Sequence, residues 1–224
     1  MKRLLLAATS LMFLPAILPA ATVNGHIAFV SKRGQSPLPN ETLVWLEPAS
    51  GRVPHKTAGH FQLLTRGKML VPHVLAIPVG STVDFPNDDP ISHNLFSLSS
   101  PNGFDLGLYR KGNGKSHTFD SPGVVNVYCN VHPSMSAVIH VMASSYYGFA
   151  DTTGAFALSD VPAGKYRLVA WNEQGGRSES TIEVNSSGRV EGNVAMTLDS
   201  RNYRATQHTN KDGKAYQPSS ARDY

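Results

Sequence analysis

The 224 residues include 19 glycines, 15 prolines and only 16% charged side chains, a balance that suits a turn-rich β protein better than a helical one. The formal charge is +4, or +2 once Lys2 and Arg3 are lost with a leader, too little for a nucleic-acid binder, whose basic residues gather on one face. The length allows one or two small domains with real cores.

The first element in chain order is a leader. Met1-Lys2-Arg3 precedes an apolar run that starts at Leu4 and closes on small residues at Ala20, the form of a secretory signal peptide over residues 1–21, with cleavage expected after Ala20 or Ala21. The run is short and broken by Pro15 and Pro19, so no stable membrane insertion is expected after its removal. The expected location is the periplasm. Cys129 is the only cysteine, so it has no internal disulfide partner in an oxidising compartment, and metal ligation would cap its thiol.

Residues 22–30 alternate weakly and predict a first strand, residues 36–40 a turn, and residues 43–46 a second strand stopped by Pro48 and Gly51. Residues 55–66 are polar and ambiguous. Residues 69–77 lead into further strands, with Pro72 and Pro78 marking edges or strand ends. After a turn at Gly80 and a strand over 82–85, an Asn- and Asp-rich loop over 86–90 carries the chain to His93. Leu95, Phe96 and Leu98 follow as an apolar alternation. Pro122 and Gly123 then turn the chain into Val124-Val125-Asn126-Val127-Tyr128, rich in β-branched and aromatic residues and therefore a strand. Strands are also predicted over 137–141, 165–171 and 190–198. From residue 200 to 224 there is almost no aliphatic side chain, which predicts a disordered tail.

The chemistry concentrates in Cys129, His132 and Met135. A thiolate, an imidazole and a thioether recur at intervals of three residues, the soft and borderline donors that copper takes in preference to magnesium, calcium or manganese. Val125, Val127 and Cys129 share one strand face, and Pro133, with no N–H for a ladder, predicts the turn that presents His132 and Met135. A blue-copper site needs a second histidine, for which His93 is the obvious donor. A lone cysteine is most often a small buried hydrophobe, and Cys-x-x-His alone is a weak signal. The added methionine, the upstream histidine loop and the leader decide for metal. Zinc suits one cysteine and two histidines, but methionine is a poor fourth zinc ligand. The expectation is one type 1 copper held by His93, Cys129, His132 and Met135.

His26, His55, His60, His73, His117, His140 and His208 have no matched partner spacing and are read as ordinary strand or loop residues. No His-x-His pair offers a second copper site, and no Ser-His-Asp arrangement suggests hydrolysis, so the chain is not expected to be an enzyme.

Residues 77–85, 93–97, 104–107 and 123–135, the last ending in Tyr128-Cys129-Asn130-Val131-His132-Pro133-Ser134-Met135, resemble the plastocyanin-like cupredoxins. The two-residue gap between His132 and Met135 is similar to that of amicyanin, and the layout resembles methylamine-utilisation-type proteins. The resemblance covers residues 61–143. It implies a Greek-key β-sandwich with copper at one end, single-electron transfer, and a redox partner such as a c-type cytochrome or quinoprotein dehydrogenase. It further implies that His132 is the electron port, ringed by apolar residues such as Val131 and Pro133, and that the Asn94 amide bonds the backbone next to Cys129. Tyr128, beside Cys129 but on the opposite strand face, is a candidate second exit. A periplasmic copper carrier or buffer would use the same ligands, and remains the alternative.

Residues 22–30 and 43–46, together with 151–158 and 161–168, resemble a carboxypeptidase-regulatory-like (transthyretin-like) module split by about a hundred residues. The expected fold class is therefore all-β: a cupredoxin Greek-key β-sandwich plus a small transthyretin-like β-sandwich. The expected organisation is a signal peptide (1–21), N-terminal strands belonging with the transthyretin-like module (22–60), the cupredoxin domain (61–143), the transthyretin-like sandwich (144–199) and the tail (200–224).

Overall fold

A computed structural model describes residues 20–51, 55–205 and 208–216. The signal-peptide reading falls almost wholly outside the described residues. Among these the chain is all-β; the one helical element is a single 3-10 turn at Pro39–Glu41.

The strand Gly123–Cys129 shows how the sandwich that carries Cys129 is built. Val125, Val127 and Cys129 are fully buried, while Val124 and Asn126 face solvent, so the period-2 alternation sends the thiol inward at the strand's end. Ser136–Met142 pairs antiparallel along one side and Leu95–Ser97 along the other, with Val74–Pro78 and Phe104–Asp105 as the outer strands of the sheet. The facing sheet runs Gly112–Phe119, Ser81–Asn87, Leu64–Arg66, Met69–Val71, with His60–Gln62 alongside Ser81–Asn87. Phe85, Phe119 and Ile139 are fully buried in the core between the two sheets. Each contributes about 1.5–3 kcal/mol through burial. Cys129 and Met135 belong to the same core.

A second sandwich holds strands from both ends of the chain. Ala21–Val30 pairs antiparallel with Ala155–Val161 and parallel with Ala195–Asp199. Leu43–Pro48 pairs with Gly164–Asn172 on one side and Tyr147–Phe149 on the other. Ile27, Leu46, Phe156, Leu168 and Leu198 share one core between these sheets. The chain thus leaves this sandwich after Pro48 and re-enters it at Tyr147. Gly25 has a steric reason to be glycine: a Cβ there would stand 2.2 Å from the Val194 carbonyl oxygen.

The two sandwiches meet through a smaller apolar cluster of Leu43, Trp45, Ala76, Met142 and Val169. His140 lies in this junction, its ring 4.3 Å from that of Trp171 and 6.2 Å from that of Trp45. Burial, with the Arg177 charge adding to it, pushes its imidazole down to about 4, so it is neutral at pH 7. His73 closes the same junction at its edge, with Nε2 2.5 Å from the Glu173 carboxylate and Nδ1 3.1 Å from the Ser136 carbonyl. The hydrogen bond to Glu173 outweighs burial and raises the His73 pKa above 6.5. The stabilisation from this pair is therefore fully present below about pH 6.5 and fades as pH rises through the raised folded-state value. His73→Gln should cost at most about 1 kcal/mol at pH 6, since both side chains are about a third exposed, and less at pH 9. Paired thermal melts of wild type and variant at the two pH values read the difference; an equal loss at both would remove the ion pair from the account.

Candidate metal centre

Two loops meet at one end of the first sandwich. The loop after Gly123–Cys129 is closed by its own backbone: Met135 N–H donates to the His132 carbonyl at 3.1 Å, and Cys129 N–H donates to the Met135 carbonyl at 3.2 Å. The loop that carries His93 is held by a two-way backbone bridge to Tyr109, at 3.0 and 2.9 Å. Asn130 N–H donates to the Asn94 carbonyl at 2.8 Å and ties the loops together.

Three side-chain atoms converge there. Cys129 Sγ lies 3.7 Å from His93 Nδ1 and 3.6 Å from His132 Nδ1, and the two nitrogens are 3.1 Å apart. This is the group of potential metal ligands that stands out among the described residues. Cys129 and His93 are fully buried, and His132 half-buried. An ion about 2.0 Å from each nitrogen and about 2.3 Å from the sulfur would close this triangle with angles of roughly 100–120°, so the donors fit a first-row divalent metal. Met135, 1% exposed, packs in the same core as Cys129. One thiolate and two imidazoles, the donors that converge here, suit copper.

Electrostatics keeps the imidazoles able to ligate. Burial lowers the pKa of His93, against the opposing pull of Asp89, and burial together with His93 lowers that of His132, so both rings are neutral near pH 7. His93 Nε2 is 3.0 Å from Asp89 Oδ2. A carboxylate accepts and cannot donate, so Nε2 carries the proton and the Nδ1 lone pair faces Cys129 and His132. Asp89 is itself fixed by the Gly67 and Lys68 amides at 2.6 and 2.9 Å. Gly67 and Lys68 reach it from left-handed backbone conformations, with φ of 62° and 58°. Burial works against the Asp89 charge, but these amides and His93 hold its carboxyl below the usual carboxylate range.

Sequence reasoning missed Asp89, reading Asn87-Asp88-Asp89-Pro90 as turn formers. The available signal was a carboxylate four residues before a candidate histidine ligand. The expectation for Asn94 is corrected: its side-chain amide donates to Asp105 Oδ1 at 2.6 Å, and the bond to the residue after Cys129 comes from its backbone carbonyl. The Asn94 side chain points away from the ligand strand because Asp105, on the strand next to Leu95–Ser97, offers a charged acceptor.

The tail reading is corrected as well for residues 208–216. Tyr216 O–H donates to the Cys129 carbonyl at 2.8 Å, and Lys211 N–H to Asn130 Oδ1 at 3.0 Å. His208 stacks on Tyr128 with ring centroids 3.9 Å apart. Lys211 Nζ pairs with Asp105 at 2.7 Å; burial opposes the Asp105 charge, yet Lys211, Asn94 and Gly107 hold its carboxyl at about 2. This strap is anchored by aromatic stacking and polar bonds, which a count of aliphatic residues does not register. It covers the strand face that carries Tyr128, the candidate second exit. His73 and His140 lie at the sandwich junction, outside the convergent group.

The surface next to His132 is a shallow recess lined by Pro90, Ile91, Ser92, Leu108, Arg110, Lys111 and Val131. Leu108 is 65% exposed and Val131 47%. The His132 ring is therefore the ligand that reaches solvent, through an apolar surround.

No family model and no curated protein matches the chain. Solved structures similar to part of it include a purple cupredoxin from Nitrosopumilus maritimus, 29% identical over 37% of this chain and 99% of that one, with a TM-score of 0.34. A reduced amicyanin variant is 19% identical over 43% of this chain and 98% of that one, with a TM-score of 0.35. The copper-containing nitrite reductase of Thermus scotoductus is 24% identical over 52% of this chain and 28% of that one, with a TM-score of 0.36. Each of these likenesses extends over part of the chain.

Proposed function

We propose that this chain is a periplasmic type 1 copper protein that carries single electrons between redox partners, with one copper held by His93, Cys129, His132 and Met135. The observation that carries the reading is the convergence of one sulfur and two imidazole nitrogens within 4.8 Å at the end of a β-sandwich. Copper bound there would supply a one-electron Cu(II)/Cu(I) couple.

The chain's own residues do the rest. Asp89 fixes the His93 ring and its tautomer, and the Met135 and Tyr216 bonds to the Cys129 backbone hold the sulfur in place. Such a framework limits rearrangement between oxidation states. Burial of Cys129, His93 and Met135 excludes water, while the half-buried His132 lies at the recess and serves as the electron port. Burial of three of the four proposed ligands favours the role of a carrier, with a c-type cytochrome or quinoprotein dehydrogenase as the class of partner. Residues 1–21 act as the export signal.

Met135→Leu should keep copper but raise the reduction potential, because the thioether that would favour Cu(II) as a weak donor is gone. Protein-film voltammetry reads the shift; an unmoved potential would mean that Met135 is not a donor to the ion. The function itself is tested by stopped-flow exchange with a small electron donor and acceptor. Fast exchange with retained copper supports it, whereas sluggish exchange with rapid loss of copper to an acceptor would identify a copper carrier instead.

A further inference from the structure

The recess at His132 combines two properties. It is lined by the apolar Pro90, Ile91, Leu108 and Val131 and by the cations Arg110 and Lys111, with no carboxylate among the lining residues. Both cations are exposed and stand in no ion pair among the described residues.

Three carboxylates near this end are already committed, while Glu41, beside Ser134 and Met135, and Asp212, on the strap, stand in no ion pair among the described residues and do not line the recess. Asp89 is buried on His93, Asp88 pairs with Arg66 at 2.7 Å, and Asp105 pairs with Lys211 at 2.7 Å. On a chain with a formal charge of +4, the recess itself thus carries two cations and no carboxylate beside the one ligand that reaches solvent. Rim charges of one sign around an apolar centre act mainly on encounter: they steer an oppositely charged face into register and slow approach by a like-charged one.

Resting on the electron-carrier reading, we infer that the His132 face docks a redox protein whose own contact surface has an apolar centre ringed by carboxylates. The apolar lining residues supply close contact beside His132, and Arg110 and Lys111 select the partner by charge.

The test uses the full copper-loaded chain and two c-type cytochromes of opposite surface charge, one acidic and one lysine-ringed, in stopped-flow exchange. At an ionic strength of about 10 mM the acidic cytochrome should react at least about tenfold faster for equal driving force, and the gap should close by about 200 mM as screening shortens to roughly 7–8 Å. Arg110→Glu with Lys111→Glu should reverse the preference at low salt, with the visible absorption spectrum showing that the centre is intact. A preference and salt slope unmoved by the double substitution, or a wild-type preference for the lysine-ringed cytochrome, would overturn the inference while leaving the electron-carrier reading in place. No exchange with either cytochrome, nor with a small inorganic couple, would sink both.

Discussion

Replacing Cys129 by serine should abolish the intense visible colour of the copper-loaded chain and weaken copper binding by more than about a hundredfold, beyond the 10–100-fold typical of losing an outer partner. Cys129 is the sole cysteine and is fully buried, so no other thiolate can take its place. A serine hydroxyl is nearly the same size but harder, and stays protonated near pH 7, so it supplies neither the soft donor nor the charge transfer from sulfur to metal. The strand should survive, because Val125 and Val127 still fill the core beside it. Competition titration against a chelator, with far-ultraviolet circular dichroism as the control for folding, reads both effects. A serine variant that remains folded and strongly coloured would remove the thiolate from the centre.

The second large effect is expected at Asp89. Asp89→Asn keeps the shape but exchanges an ionised acceptor for a neutral amide, one half of which is a donor. Three N–H groups now point at this carboxylate, from Gly67, Lys68 and His93. Asparagine cannot satisfy all three, so the His93 tautomer is no longer enforced. Copper affinity should fall about 10–100-fold while the saturated protein keeps its colour. The same titration decides it: an affinity within twofold of wild type would reduce Asp89 to a tie between the loops.

What could be read in the sequence, and what could not, follows from range. The triplet Cys129, His132 and Met135 lies within seven residues, and its donor types and spacing speak directly of metal. The strand before it is legible because Val125 and Val127 alternate with exposed neighbours. His93 is less local, but an isolated histidine loop before an apolar alternation is a small search. The structure brings Cys129, His93 and His132 together and packs Met135 in the same core.

The supports were harder to see. Asp89 and Asp88 look alike in the sequence, yet one is buried against His93 and the other pairs with Arg66 at the surface. Only the fold, which brings the left-handed turn at Gly67 and Lys68 against this loop, distinguishes them. The strap was invisible for a related reason. Its anchors, His208, Lys211 and Tyr216, gain order from Tyr128, Asn130 and the Cys129 carbonyl some eighty positions earlier, so local composition carried no sign of them. No local periodicity encodes the pairing of Ala21–Val30 with Ala155–Val161 either; the sequence grouped these segments only through their resemblance to parts of one module.

The central claim is that one copper sits between a thiolate and two imidazoles. Residues 22–224, loaded with a single equivalent of Cu(II), should show one tightly bound ion, an intense visible absorption and an electron paramagnetic resonance spectrum with unusually narrow copper hyperfine splitting, the mark of a covalent copper–sulfur bond. A pale protein whose bound copper gives the wide splitting of ordinary tetragonal nitrogen and oxygen ligation would contradict the account.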